Sequence, residues 1–307
     1  IDEVVVVGYG SAKKRDLTGS IVTVKADEIA SKPSTNPLAS IQGKVAGVQV
    51  VNTGRAGQDP EIRVRGTNSI NGFKPLYVVD GLFTDNINYL NTADIESMEI
   101  LKDPSSLAIF GVRGANGVII VTTKRGKEGK AKISANTSMS VIVPTDPIKL
   151  ANAYEYASYY NMQKLNDGAA TAPFSDQILQ KFKDHSDPLR FPDTDWIDYC
   201  FKDHAIQTQH NVNISGGTDR MRYFVSVGAF TQDGLFKLQS LPYDFNFKYQ
   251  RFNYRANLDF DVTKTTTISV NLGGRVDTKN TPYSGEDNNQ LFRKLYWATP
   301  FSSPGVI

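Results

Sequence analysis

The second half of the chain alternates strictly between apolar and polar residues over five long stretches. In the clearest of them, around residue 256, every second residue is apolar and the residues between are Asn, Asp or Arg. Successive side chains of a β-strand point to opposite faces, so each stretch predicts a strand with one apolar and one polar face. The five predicted strands cover residues 133–141, 206–215, 222–229, 251–262 and 267–275.

The connections between these predicted strands alternate in length. The second and third strands are joined by GGTDR and the fourth and fifth by VTKT, whereas long segments separate the first from the second and the third from the fourth. Strands with one polar face fit either a soluble antiparallel sheet or a membrane barrel with a polar lumen. Alternating short turns and long loops favour the barrel, whose short turns face the periplasm and whose long loops face outside.

The first half predicts a small α+β domain. Short β-branched runs bounded by glycine indicate buried strands, and a helix is predicted after Asp103, which can cap it. A second helix is predicted to begin at Asn36. Its apolar face would carry Leu38, Ile41 and Val45. The β-branched runs are EVVVVGYG at 3, GVQVVNTG at 47, EIRVRG at 61, PLYVVDG at 75 and VIIVTTKRG at 118.

Composition narrows the classes of function. The 307 residues include 34 Lys+Arg and 32 Asp+Glu, and a net charge of +2 gives no concentrated basic surface for nucleic acid. One cysteine and three histidines at unrelated spacings supply neither a disulfide nor a zinc-ligand pattern, so we expect no metal or cofactor. No apolar run approaches the roughly 18 residues that a transmembrane helix requires.

Motifs for catalysis are absent. The sequence contains no G-x-S-x-G elbow, no P-loop and no H-E-x-x-H helix, so we do not expect an enzyme. An acidic trio, Asp193, Asp195 and Asp198, could bind calcium or act as an acid/base pair. Its surroundings lack the glycine and ligand rhythm of a calcium loop, which favours solvated charge.

Aromatic residues are frequent in the long connections. They could stack on sugar rings, or they could pack the loops and line the membrane interface. The residues concerned are Tyr154, Tyr156, Tyr159, Tyr160, Trp196, Tyr199, Tyr243, Phe245, Phe247 and Trp297.

Several longer motifs follow one another along essentially the whole chain. EVVVVGYG is followed by KKRDLTGSI, LASIQGKVAGVQV and EIRVRGTNSI, and then by PLYVVDG and DIESMEILKDPSSLAIFGVRGANGVIIVTTKRG. Further on come EYASYYN, FPDTDW and HNVNISGGTDRMRYFVSVGAFTQDG. Together these motifs resemble the SusC/RagA-type TonB-dependent outer-membrane transporters of Bacteroides-like Gram-negative bacteria.

The resemblance implies an α+β plug domain followed by an antiparallel transmembrane β-barrel, which has about 22 strands in the family. On this basis residues 1–19 are a Ton-box-like segment and linker, residues 20–128 are the plug domain, and residues 129–307 are the first strands and outer loops of the barrel. Five strands cannot close a barrel, so we expect the chain to be the N-terminal part of a longer protein.

The resemblance also implies active import of oligomeric nutrients across the outer membrane, in contact with its lipid. That membrane has neither ATP nor a usable ion gradient, so we expect the energy to come from TonB with ExbB and ExbD. A SusD-like surface lipoprotein is expected as a lid. Aromatic and Asn/Asp-rich loops favour oligosaccharides, although members of the family import peptides. The alternative from another class is a soluble, secreted carbohydrate-binding β-protein.

The N-terminal residues resemble the Ton box, an extended segment that TonB captures by adding a strand to it. The alternative is that this apolar run is the first buried strand of the plug domain. The candidate residues are Asp2, Glu3, Val4, Val5, Val6 and Val7.

Charges on the polar face of the fourth barrel strand are candidates for contact with the plug domain. They could equally be solvated charges of the lumen, since exposed ion pairs contribute little. The strand residues are Arg251, Arg255, Asp259 and Asp261, and the expected plug partners include Arg63, Arg65 and Glu99.

By resemblance, plug loops at residues 68–73 and 83–91 face the substrate cavity. The substrate-facing candidates there and in the outer loops are Asn68, Asn71, Phe73, Phe83, Asn86, Tyr89, Trp196 and Tyr243.

Overall fold

The structure is a computed structural model that describes residues 4–7, 10–13, 21–30, 36–51, 57, 59–66, 74–144, 148–237, 244, 246–281 and 289–303. The chain divides into two units. The first comprises Ile1–Ser140, Ile206–Gln232 and Lys248–Lys279, and the second comprises Val141–Ala205, Asp233–Phe247 and Asn280–Ile307.

Strands dominate the described residues. They are β1 (Val4–Val7), β2 (Gly10–Lys13), β3 (Ile21–Lys25), β4 (Val48–Val51), β5 (Glu61–Val64), β6 (Leu76–Val79), β7 (Leu82–Thr84), β8 (Ile95–Leu101), β9 (Val118–Thr123), β10 (Gly129–Ile142), β11 (Ala205–Gly217), β12 (Met221–Asp233), β13 (Lys248–Thr263) and β14 (Thr266–Asn280). The helices are α1 (Ala26–Ala30), α2 (Pro37–Ser40), α3 (Pro104–Leu107), α4 (Ala153–Asn166), α5 (Asp176–Asp184), α6 (Trp196–Cys200) and α7 (Asn289–Trp297).

The first half of the chain, predicted to be a plug domain and called the plug domain from here on, is built on a mixed five-stranded sheet in the order β3-β8-β9-β6-β7. Strands β6 and β9 are parallel, and the other neighbouring pairs are antiparallel. Strands β4 and β5 form a separate antiparallel pair. The runs at 75 and 118 are buried strands, as predicted, whereas β3, β7 and β8 lie outside the runs that predicted strands.

The helix predicted at Asn36 is present but short. The Asn36 side chain caps it by accepting a hydrogen bond from the backbone N–H of Leu38 at 2.9 Å. After one turn the chain continues in turns, yet Leu38, Ile41 and Val45 all lie in the main hydrophobic core of the plug domain. The pattern therefore identified the buried face correctly and overestimated the length of the helix.

The Ton box candidate lies in a hairpin. Strand β1 pairs with β2 so that Val4 faces Lys13 and Val7 faces Gly10. In the part of the chain that the structure describes, this hairpin is a two-stranded sheet of its own. The run at residues 4–7 is therefore a strand, but it does not belong to the plug sheet. Asp2 and Glu3 lie outside the described residues.

The second half of the chain forms one sheet in the order β10-β11-β12-β13-β14, which we call the barrel sheet. All five strands predicted from alternation are confirmed, and each is longer than its pattern. Strands β11 and β12 are antiparallel, with Gln207 opposite Gln232 and Gly217 opposite Arg222. Residues 218–220 and 264–265 make the short turns, and residues 143–204 and 234–247 make the long connections.

The barrel sheet is inverted relative to a soluble sheet. On β13 the polar residues Arg251, Asn253 and Asn257 are buried, whereas Phe252 and Tyr254 are 62% and 57% exposed. Further exposed apolar residues of this sheet are Ile133, Met139, Val141, Val227, Val262, Ile268, Leu272 and Val276. A soluble sheet buries its apolar face, while a membrane strand turns that face to lipid. The burial pattern is therefore that of a barrel wall.

The second unit is a helical assembly with its own aromatic core. Phe174, Phe182 and Phe301 pack with ring centroids 5.1 to 6.3 Å apart. Asn161 closes the connection from α4 to α5, because its amide donates to the carbonyl of Phe174 at 2.7 Å and accepts from the same residue's N–H at 2.9 Å. None of the helices among the described residues has the length and apolar character needed to cross a membrane.

Candidate functional site

The polar face of the barrel sheet packs against the plug domain, and most of the buried polar chemistry of the first unit lies there. Strand β13 runs from the long-connection end of the sheet to the short-turn end, and its inward side chains meet the plug domain along the way. Near the long-connection end the Arg251 guanidinium, which is 1% exposed, donates to the carbonyl of Asn88 at 3.4 Å. It also lies 5.5 Å from the ring centroid of Phe230.

A buried ion pair lies midway along β13. The carboxylate of Asp80, which follows β6 with a positive φ of 48°, accepts hydrogen bonds from the N–H and hydroxyl of Thr123 at 2.9 and 2.6 Å. Arg255 reaches the same carboxylate at 3.5 Å, and the two side chains are only 7% and 5% exposed. The amide of Asn257 donates to Thr123 Oγ1 and to the carbonyl of Lys124, both at 2.8 Å. The charges are therefore compensated and hydrogen-bonded.

A second ion pair between the plug domain and the barrel sheet lies nearer the short-turn end. Arg125 contacts Asp259 at 2.7 Å, and the same carboxylate oxygen accepts a hydrogen bond from the Ser269 hydroxyl at 2.6 Å. Asp261, one step further along β13, pairs instead with Arg222 of β12 at 3.1 Å. Along β13, the charged residues Arg255 and Asp259 therefore contact the plug domain, whereas Asp261, nearer the short turn, contacts another strand of the barrel sheet.

Four neutral side chains join the plug domain to the barrel sheet on the Arg251 side of Arg255. They are Asn91, Gln209, Asn211 and Asn253, and we call them the amide cluster. Asn91 of the plug domain accepts a hydrogen bond from Gln209 at 3.1 Å and donates to Asn211 and, at 3.5 Å, to Asn253. All four are buried. A charge-based search of the sequence overlooks this contact, because none of its members is ionisable.

Asp94 is a buried carboxyl of the plug domain close to this interface. It is 2% exposed, and burial raises the pKa of its carboxyl above the usual value of 3.8. Arg255, Lys124 and Arg251 act in the opposite direction, because a nearby cation favours the ionised form. Burial is the larger effect at this position.

In the described part of the chain the β13 charges contact plug residues beyond those named from the sequence, whose own contact with β13 stays a prediction. Arg255 and Asp259 meet Asp80 and Arg125, which the sequence analysis did not single out, and Arg251 meets a backbone carbonyl. The three expected plug residues have side-chain contacts within the plug domain. These contacts are Arg63 with Glu61, Arg65 with Asp103, and Glu99 with Ser97. Asp103 stands at the N-cap position of α3, yet its carboxylate binds Arg65 and does not cap the helix.

Three of the substrate-facing candidates lie on one described plug loop and strand. Phe83 is 42% exposed, and the Arg113 guanidinium lies 5.2 Å from its ring centroid. Asn86 is exposed, and Tyr89 packs half-buried against the plug core. The candidates that lie outside the described residues are Asn68, Asn71, Phe73 and Tyr243.

Aromatic residues of the long connections serve mainly as packing. Trp196 donates its indole N–H to the carbonyl of Thr299 at 3.0 Å, and its ring meets Tyr199 edge-on at 5.7 Å. Tyr156 and Tyr160 belong to the aromatic core of the second unit. Tyr159 and Trp297 remain largely exposed. The packing interpretation therefore fits Trp196, and exposed rings are present for ligand contact elsewhere in that unit.

Two residues of the acidic trio cap helices, and the third forms an ion pair. Asp193 accepts a hydrogen bond at 2.7 Å from the N–H of Ala153, the first residue of α4. Asp195 accepts from two N–H groups at the start of α6, at 2.9 and 3.1 Å. Asp198 lies 3.4 Å from Lys237. Among the described residues no group of three or more His, Cys, Asp or Glu side chains is arranged to hold a metal ion.

Known proteins resemble the chain in both sequence and fold. The family model "TonB-dependent Receptor Plug Domain" matches residues 13–118. The chain is 40% identical over 269 residues to TonB-dependent receptor P26 of Formosa agariphila, covering 84% of this chain and 25% of that one. It is 35% identical over 335 residues to TonB-dependent receptor SusC of Bacteroides thetaiotaomicron, covering 99% and 31%. The chain thus spans between a quarter and a third of these relatives' length.

A solved structure extends the similarity to the fold. The RagAB peptide importer in its "open-open" state matches with a TM-score of 0.73 at 27% identity, over 92% of this chain and 33% of that one. The match therefore includes the barrel sheet as well as the plug domain.

Proposed function

Because the chain carries the plug domain and first barrel strands of a SusC/RagA-type TonB-dependent receptor, we propose that it serves the active import of oligomeric nutrients across a bacterial outer membrane. One observation carries this proposal. A polar barrel face is buried against a folded plug domain through hydrogen bonds and ion pairs, while the apolar face is exposed. An enzyme or a soluble binding protein would have no use for this inverted sheet.

The polar contacts suit a plug that must move. Each hydrogen bond between the plug domain and the barrel sheet can be replaced by one to water, so its net contribution is only about 0.5 to 1.5 kcal/mol. An apolar contact of the same area would resist separation, because separation would expose it to water. The plug domain is thus held in place by groups that a hydrated lumen can solvate.

Energy for this movement comes, in our proposal, from TonB with ExbB and ExbD. TonB would pair with β1 by strand addition, which uses main-chain hydrogen bonds and tolerates many side chains. Among the described strands β1 pairs with β2, and TonB would add its strand to the other edge of β1. The plug strand β3 follows closely in sequence, so a pull on β1 is delivered to the edge of the plug sheet.

The substrate is proposed to be an oligosaccharide, and the lid a SusD-type lipoprotein. Support comes from the sequence similarity to SusC and from exposed aromatic rings in the second unit, such as Tyr159 and Trp297. A peptide is the second candidate, since the RagAB structure is that of a peptide importer. Growth of a deletion strain on single defined glycans or peptides separates the two, and unimpaired growth on every glycan would rule out the sugar.

The proposal is tested by breaking β1. The variant Val5→Pro/Val6→Pro removes two neighbouring backbone N–H groups of β1, one facing β2 and the other facing the edge that TonB would pair with. We expect energised uptake of the labelled substrate to be lost, while binding of that substrate to isolated outer membranes is unchanged.

The matched control is Ala12→Pro, which lies opposite Val5 on β2. It disturbs the same hairpin but leaves β1 intact, so we expect uptake to continue. Normal uptake by the double proline variant would refute the assignment of β1, and equal loss in both would mean that the hairpin matters and not the TonB contact.

A further inference from the structure

The amide cluster fixes the orientation of Asn91. Its side-chain oxygen accepts hydrogen bonds from Gln209 and from the backbone N–H of Ala93, at 3.1 and 3.0 Å. Its nitrogen donates to the oxygens of Asn211 and Asn253. A primary amide has one acceptor and one donor group, and here both are used by buried partners. The plug domain can therefore satisfy this cluster in only one position along the barrel sheet.

A glycine in β12 makes the room for this contact. A Cβ atom at Gly228 would lie 2.5 Å from the Asn91 nitrogen and 2.8 Å from the side-chain oxygens of Asn211 and Asn253. These distances are shorter than van der Waals contact. The three amides are buried and bonded to one another, so they cannot move aside as an exposed side chain would. Because Gly228 of the barrel sheet has no side chain, the Asn91 side chain of the plug domain can occupy the space beside it.

The cluster differs in kind from the neighbouring ion pairs. It contains no charge, so its attraction is short-ranged and lost as soon as the groups separate. Misalignment is costly, because buried amide groups without partners lose their hydrogen bonds to water and gain none in return. The amide cluster has strict geometry but modest strength. It is therefore suited to fixing the position of the plug domain and not to holding that domain against a pulling force.

From these observations we infer that Asn91 is a positioning residue, which seats the plug domain against the barrel sheet so that the lumen stays closed at rest. The inference rests on the proposed function, since only a transporter must keep its lumen closed between import cycles. Loss of the cluster should leave the plug domain folded, because its hydrophobic core lies elsewhere. The plug domain would then leave its seat more often, and solutes would leak past it.

The test measures passive leak through the native receptor in outer membranes of cells that lack TonB. The probe is a glycopeptide antibiotic too large for general porins. We expect Asn91→Ala and Gly228→Ala each to raise its entry about tenfold, the shift in population that corresponds to losing one or two net hydrogen bonds. The matched control is Gly273→Ala on β14, where an added Cβ would come no nearer than 3.5 Å to Arg255. Entry should be unchanged in that variant.

The double variant Asn91→Ala/Gly228→Ala separates seating from general damage. Without Asn91, the Asn211 and Asn253 amides lose the hydrogen bonds that hold their oxygens beside Gly228 and can rotate away from the new methyl group. The double variant should therefore leak no more than Asn91→Ala alone. Wild-type leak in Asn91→Ala, or equal leak in Gly273→Ala, would overturn the inference. The assay needs neither TonB nor a substrate. A failed import experiment therefore counts against the proposed function, and the leak result stands separately.

Discussion

Removal of the Asp80 carboxylate should destabilise the seated plug domain strongly. At 3.5 Å its attraction to Arg255 is worth about 5 kcal/mol at an effective dielectric constant near 20, before the cost of desolvation. Asp80→Ala would leave a guanidinium that is 7% exposed without its counter-charge and would remove an acceptor from Thr123. Breaking a buried pair from one side costs about 3 to 5 kcal/mol. We expect a loss of that size.

Replacing both partners should cost much less than the sum of the single changes. In Asp80→Ala/Arg255→Met no buried charge remains, and paired removal of buried ions is often close to neutral. The assay is urea-induced unfolding of the plug domain in the detergent-solubilised receptor, and the unfolding is monitored through hydrogen exchange of the β9 amides. Asp80→Asn is the conservative control, since it keeps an acceptor for Thr123 but loses the charge. A loss below about 1 kcal/mol for Asp80→Ala, or strict additivity in the double variant, would refute the reasoning.

Two further predictions concern single residues of the plug domain. Gly57→Ala should destabilise the plug domain more than Gly66→Ala. Both glycines have a positive φ, but only at Gly57 would the added Cβ atom clash with another residue, the Tyr249 ring at 2.3 Å. The urea midpoints of the two variants measure the difference. A carboxyl with a raised folded-state pKa holds its proton more tightly when folded, so Asp94 should lower wild-type stability as pH rises from 3.8 through that raised pKa. Asp94→Asn should remove this loss, so that the variant gains on wild type as pH rises above 3.8, and a stability difference that does not change with pH would contradict the prediction.

The barrel strands could be predicted because a period of two survives over many residues when one face meets lipid and the other a polar lumen. Strand β8 could not, although Ile95, Met98 and Ile100 are all buried. A register shift between Ile95 and Ser97 inserts an extra residue, so its apolar positions are three and then two apart. Local patterning fails wherever a bulge breaks the alternation.

The partners across the interface were out of reach for a different reason. The alternation of β13 shows which face carries Arg255, but nothing in the sequence relates that position to a distant residue of the plug domain. Asp80 stands in a VVDG turn and resembles an ordinary turn residue. Asn91 is neutral and drew no attention in a search for charges. Pairing across a domain interface depends on the three-dimensional register, which sequence periodicity does not encode.

The inverted barrel sheet also bears on the biogenesis of the protein. In water the plug domain can collapse around its own apolar core, as a water-soluble domain does. The barrel strands have no such driving force, since burial of Phe252, Tyr254 and their neighbours requires hydrocarbon and not a protein interior. One polypeptide thus contains a part that folds in water and a part that must be kept from aggregating until it reaches the bilayer.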